Sequence, residues 1–273
     1  MRCSPRGRCS PWHCPTTPRP RLLPDTAGVP CDWIDADRAG LGAGVVVYVH
    51  GGGFEHSNPA TERVMAHRLS RATGRPALRV DYRLAPAHPF PAPLDDVVAV
   101  YRALLDQGVP ATRIVLAGES AGATLVLSAL LVLRDAGVPL PAGAVATSAL
   151  TDLTGSSPSI TANEGRDLLS GAATGHILPR YLNGAAPDRA PQSPLHGDLR
   201  GLPPVLLPTG GDELFLDDAL RFAAAAAEAG TDASVDLYEG MPHAFHAAIL
   251  AEDPPPAGRT FLARLRDWTA GLG

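Results

Sequence analysis

Past Cys31 the chain has no cysteine: all four, Cys3, Cys9, Cys14 and Cys31, lie within the first 31 of 273 residues. No paired C-x-x-C knuckle is present either, so no cysteine-based metal site is expected. Apolar runs of membrane-spanning length are missing. The basic N-terminus has only Leu22-Leu23 to interrupt its polarity, too little for a signal-peptide core. With a net charge of −5 and no basic stripe, nucleic acid is excluded as a partner. The cytoplasm is the expected location. Residues 1–30 are rich in Pro, Arg and Cys and lack any helical period, so disorder or an aberrant segment is expected there. With 45% hydrophobic residues, 31–273 suffice for one α/β domain with a large core.

What is present is a set of glycine-flanked turns at strand ends. Gly118-Glu119-Ser120-Ala121-Gly122 directly follows the apolar run Arg113 to Ala117. This is G-x-S-x-G in strand-to-helix context, where a sharp turn can lift a serine hydroxyl above a sheet edge and bulk at either glycine would meet backbone. Alone the pattern is weak. Upstream, Val45 to Val49 reads as a strand that runs into His50-Gly51-Gly52-Gly53-Phe54. The cluster matches neither a dinucleotide fingerprint nor a phosphate loop. Its uncovered N–H groups are suited to stabilising an oxyanion, where one donor contributes about 2.7–4 kcal/mol. His50 is expected to hold that loop by hydrogen bonding.

A serine hydroxyl needs a base, and the base an orienting acid. Both follow Ser120 on loops after strands. Pro204 to Leu207 reads as a strand ending in Gly210-Gly211-Asp212-Glu213, and Ala233 to Tyr238 as another ending in Gly240-Met241-Pro242-His243. Asp212, nearest its strand, is the expected acid; Glu213 is expected to cap the next helix, with Asp217 and Asp218 on that helix's solvated face. His243 is the expected base, and His246 is expected to begin the following helix. Ligands bind at this edge of a parallel sheet.

These motifs, with Asp81-Tyr82-Arg83-Leu84-Ala85-Pro86 and Pro89 to Asp96, give a chain that resembles the hormone-sensitive-lipase-like, or bacterial family IV, esterases. The resemblance runs from about Val45 to the end. It implies an α/β-hydrolase fold, a mostly parallel sheet with helices on both faces, and a small helical cap. It also implies Ser120, Asp212 and His243 as the triad, N–H groups of Gly52, Gly53 and Ala121 as the oxyanion hole, and short- to medium-chain carboxylic esters as substrates. Cofactors are expected to be none, and the only partner a small-molecule ester, with the chain a monomer or homodimer. Acetylhydrolase, deacetylase or lactone hydrolase activity on the same triad is the alternative, and an inactive small-molecule binder the non-enzymatic one. The chain departs from the family pattern at Glu119, Ala123 and Ala244, and at its start, where the usual cap helices are expected to be lost or replaced.

From Val45 onward strands and helices alternate, as in a parallel sheet. Helices are expected over 60–72, 94–106, 121–136, 216–229 and 259–272, with strands at 77–82 and 142–147. Residues 154–183 interrupt the alternation and, by analogy, form a cap insertion that brings Ile177, Leu178 and Tyr181 to an acyl pocket, with a flexible surface excursion as the alternative.

Overall fold

The computed structural model describes residues 26–272. The expectations for residues 1–25 therefore lie outside the described residues. Seven strands form one sheet: β1 (Cys31–Ile34), β2 (Val45–Val49), β3 (Ala77–Val80), β4 (Ile114–Glu119), β5 (Gly143–Thr147), β6 (Val205–Gly210) and β7 (Ala233–Tyr238), in the order β1-β3-β2-β4-β5-β6-β7. All neighbours pair in parallel except β1, which lies antiparallel on β3 at one edge. That edge strand was not expected; four half-buried residues carry too little periodicity to announce one.

The inner strands are apolar on both faces because helices cover both. Val46, Tyr48, Val115, Ala117, Val145 and Leu206 join a core with α1 (Pro59–Thr73) and α7 (Pro256–Ala270). The alternate residues Val45, Val47, Val49, Ile114, Leu116, Ala144 and Leu207 join the larger core with α2 (Ala92–Asp106), α3 (Ala121–Asp135) and α6 (Leu216–Glu228). The period of two thus sorts each strand into two cores.

Helix boundaries follow local chemistry. Asn58 caps α1 by accepting from the Thr61 N–H. α2 stops at Gln107, ahead of a left-handed Gly108 and Pro110. α3 is buried nearly all round because it lies behind the three central strands β2, β4 and β5.

Residues 154–183 hold two helices, α4 (Pro158–Ala162) and α5 (Gly171–Leu182). The chain leading into α4 is fastened to α6 by Asp218, which accepts from the N–H groups of Thr151 and Asp152 and from the Ser157 hydroxyl. Asp218 is fully buried, contrary to the solvated position expected of it, because these donors satisfy its carboxylate inside the core. Asp217 likewise accepts from the Ser159 N–H. Among the described residues no helix is long and apolar enough to cross a membrane.

Candidate active site

The chain passes from β2 to β3 on one side and then crosses over to β4 on the other, so a crevice opens at the carboxyl ends of β2 and β4, the place where open parallel sheets bind ligands. The loops after β2, β4, β6 and β7 carry the glycine cluster, Ser120, the acidic pair and His243 respectively.

Ser120 sits at φ 52°, ψ −122°, strained for a non-glycine residue, between β4 and α3. The turn closes only because its neighbours lack side chains. A Cβ on Gly118 would lie 2.3 Å from the Gly122 carbonyl oxygen, and one on Gly122 only 2.1 Å from that of Val49. The expected steric reason for these glycines therefore holds, and Gly122 also seats the elbow against the end of β2.

The glycine cluster is held from beneath. Tyr82 stacks on the His50 ring with centroids 4.2 Å apart and donates to the His50 carbonyl at 2.9 Å. His50 Nδ1 lies 2.8 Å from the Gly51 carbonyl oxygen, matching its expected loop-holding part, and 3.6 Å from Glu62. Burial lowers the His50 pKa, against the pull of the Glu62 carboxylate. Among the described residues, the N–H groups of Gly52, Gly53 and Ala121 donate to no protein acceptor, and all three residues line one cavity with Ser120 and His243.

His243 Nε2 lies 2.9 Å from Ser120 Oγ. Its other nitrogen does not face Asp212, and here the sequence-based expectation is corrected. Asp212 is half-exposed; its carboxylate is bonded by Arg166, and its own N–H donates to the Met241 carbonyl. The acid opposite His243 Nδ1 is Glu213, whose Oε2 is 3.6 Å away. Glu213 is fully buried, and among the described residues neither its two carboxylate oxygens nor His243 Nδ1 has a hydrogen-bond partner. Buried polar groups without partners are costly, so two that face one another form the natural pair. The contact is an ion-pair separation that a small shift would turn into a hydrogen bond, as catalytic contacts commonly tighten with substrate. β6 ends at Gly210 and the chain turns at once, so the first acid points outward and the second, one methylene longer, points beneath the imidazole.

Sequence reasoning also missed a second histidine–carboxylate pair. His246, the second residue of the 3-10 helix Phe245–Leu250 and so at a helix start as expected, places Nε2 2.5 Å from Glu119 Oε2. The other oxygen of Glu119 accepts from the Tyr48 hydroxyl at 2.8 Å and the Gly51 N–H at 3.4 Å. Burial presses the Glu119 pKa upward, but His246, Tyr48 and Gly51 outweigh it and hold the carboxyl at about 2. Glu119 thus joins the loops bearing Ser120, His243 and the glycine cluster. The signal was present in the acidic residue before Ser120 and the histidine three after His243, but only the fold brings them together.

The cavity measures about 360 Å³, walled by Leu150, Leu169, Ile177, Leu178 and Phe215. Ile177 and Leu178 take the positions expected of them. Tyr181 does not; it is buried beneath, stacked on Phe54 with centroids 3.7 Å apart.

A family model described as the alpha/beta hydrolase fold matches residues 46–247. The chain belongs to that family. Within it, the hydrolase is 39% identical to a crystallised esterase of the bacterial hormone-sensitive lipase family, with a TM-score of 0.84 over 91% of this chain and 83% of the other. It therefore falls in the branch that its motifs resemble. An acetyl-hydrolase of Streptomyces hygroscopicus is 43% identical over 202 residues, 74% of this chain and 68% of that protein. An esterase of Acinetobacter venetianus is 37% identical over 199 residues, 72% of this chain and 66% of its own length.

Proposed function

We propose that this hydrolase cleaves carboxylic esters of small molecules, with Ser120 as nucleophile, His243 as base and Glu213 as the orienting acid. The observation that carries this reading is the 2.9 Å contact between Ser120 Oγ and His243 Nε2 on a strained elbow. His243 accepts the Ser120 proton as Oγ attacks the ester carbonyl, and Glu213 stabilises the resulting imidazolium. The oxyanion is stabilised by the N–H groups of Gly52, Gly53 and Ala121. The imidazolium then protonates the departing alkoxide, and the acyl-serine is hydrolysed by water that His243 activates.

A cavity of about 360 Å³ with aliphatic and aromatic walls supports short to medium acyl groups. Acetyl esters are favoured as the natural class by the Streptomyces relative, itself named an acetyl-hydrolase.

The test is turnover of p-nitrophenyl esters of increasing acyl length by the wild-type chain and Ser120→Ala. Loss of about 10⁴-fold or more in kcat, with an unchanged melting temperature, is expected for the variant. Retained turnover would sink the assignment.

A further inference from the structure

Outside the groups just named, one carboxylate touches both loops that carry the acid and the base. Asp167 stands in the stretch between α4 and α5, half-buried. Its Oδ1 accepts from the His243 N–H at 2.7 Å, and its Oδ2 from the Leu214 N–H, also at 2.7 Å. Each oxygen thus holds one loop: the first at the base itself, the second at the residue after Glu213. The neighbouring Asn163 secures the acid loop from its carbonyl side, donating to the Glu213 oxygen at 2.9 Å and the Gly211 oxygen at 3.3 Å. The loops touch each other directly as well, through the bond from the Asp212 N–H to the Met241 carbonyl at 3.0 Å. Asp167 is nevertheless the sole acceptor for the His243 N–H among the described residues.

We infer that Asp167 is a positioning residue that sets the distance between His243 and Glu213, so the segment walling the acyl cavity also aligns the triad. The chemistry is specific to a carboxylate. Three N–H donors approach its two oxygens, those of His243 and Leu168 (the latter at 2.6 Å) on Oδ1 and that of Leu214 on Oδ2, and charge-assisted bonds of this kind are about twice as strong as neutral ones. An amide offers one oxygen and turns an NH₂ group toward the second donor, so it holds one loop and repels the other. Leu169, two residues on, lines the cavity, which places the acyl wall and the tie between the loops on one short strip of chain.

This inference rests on the esterase reading, and its test separates the two. Wild type, Ser120→Ala, Asp167→Asn and Asp167→Glu are assayed for kcat and KM on p-nitrophenyl butyrate, with active sites counted by stoichiometric reaction with a p-nitrophenyl phosphonate. For Asp167→Asn, kcat per titrated site is expected to fall about 10- to 100-fold, with KM within about twofold of wild type. Asp167→Glu keeps both oxygens on a longer arm and is expected to lie between the two; it decides the matter if the amide variant does not fold. A wild-type kcat per titrated site in the folded variant, or a loss confined to the titrated fraction, overturns the positioning role. If Ser120→Ala is dead while Asp167→Asn matches wild type, only this inference falls. If Ser120→Ala remains active, the esterase reading falls first.

Discussion

Asp212 and Glu213 are adjacent acids at one strand end, and only their surroundings separate them. Asp212 is exposed enough for Arg166 to neutralise it, whereas Glu213 is sealed against His243. Glu213→Gln is therefore expected to lower kcat about 10³- to 10⁴-fold, as when the acid of such a triad is replaced by its amide, while Asp212→Asn stays within a few-fold of wild type. Steady-state kinetics on the same ester decides between them. Glu119 makes a prediction about pH. Its native pKa of about 2 lies below the ordinary 4.5, so the stability it contributes is present above about pH 4.5 and lost as pH falls toward 2. Melting curves between pH 5.5 and 3 should be flatter for Glu119→Gln, by at most one proton, about 1.4 kcal/mol per pH unit. Equal slopes would show that the carboxylate is not held as described.

At the scale of elements, α5 has two sides. One lines the catalytic cavity; the other lines a neighbouring groove of about 490 Å³, and Thr174 and Leu178 border both. The helix is held over the glycine loop by Arg180, whose Nε lies 2.9 Å from Glu55, and by Tyr181 on Phe54. Leu178→Ala should open a passage beneath it. About two further methylenes of an acyl chain could then be buried, raising kcat/KM for octanoate relative to butyrate by about tenfold. The melting temperature should fall too, since removing a buried leucine side chain costs about 2–5 kcal/mol. An unchanged chain-length profile would mean that the two spaces stay separate. The helices with clear apolar stripes, such as α2 with Leu94, Val97, Tyr101 and Leu104, were legible in sequence because one face of a periodic segment must be buried. The interior of 154–183 was not, since its small and polar residues take their places from Asp218, Asp217 and the acid loop rather than from any period of their own.

The molecule as a whole joins its sheet edge to its catalytic edge through one buried cation. Arg79 on β3 donates to Glu62 on α1 at 2.6 Å, to Asp32 on β1 at 3.0 Å and to Asp81 at 2.8 Å, and Glu62 in turn lies 3.6 Å from His50. With Arg79 only 2% exposed, Arg79→Ala leaves Glu62 buried without its counter-charge. The expected cost is about 3–5 kcal/mol, or about 10 °C in melting temperature, with kcat reduced as the glycine loop loosens. Differential scanning calorimetry beside an ester assay tests both; a variant as stable as wild type would remove Arg79 from the framework. No local pattern announced this network. Its members are scattered over 50 residues of sequence and meet only because β1 folds back along β3.

By itself the sequence determined the alternation of strands and helices, the glycines without which the elbow cannot close, and the placing of Ser120 and His243 on loops after strands. Each depends on residues near one another in the chain: a period, a steric limit at a turn, or a histidine just past a strand. Tertiary structure alone decided which of two adjacent acids faces His243, that Asp218 is buried, and that Glu119 meets His246 and Asp167 meets both the His243 and the Glu213 loops. Those depend on burial and on distances between segments far apart in sequence, and desolvation acts only after the chain has folded.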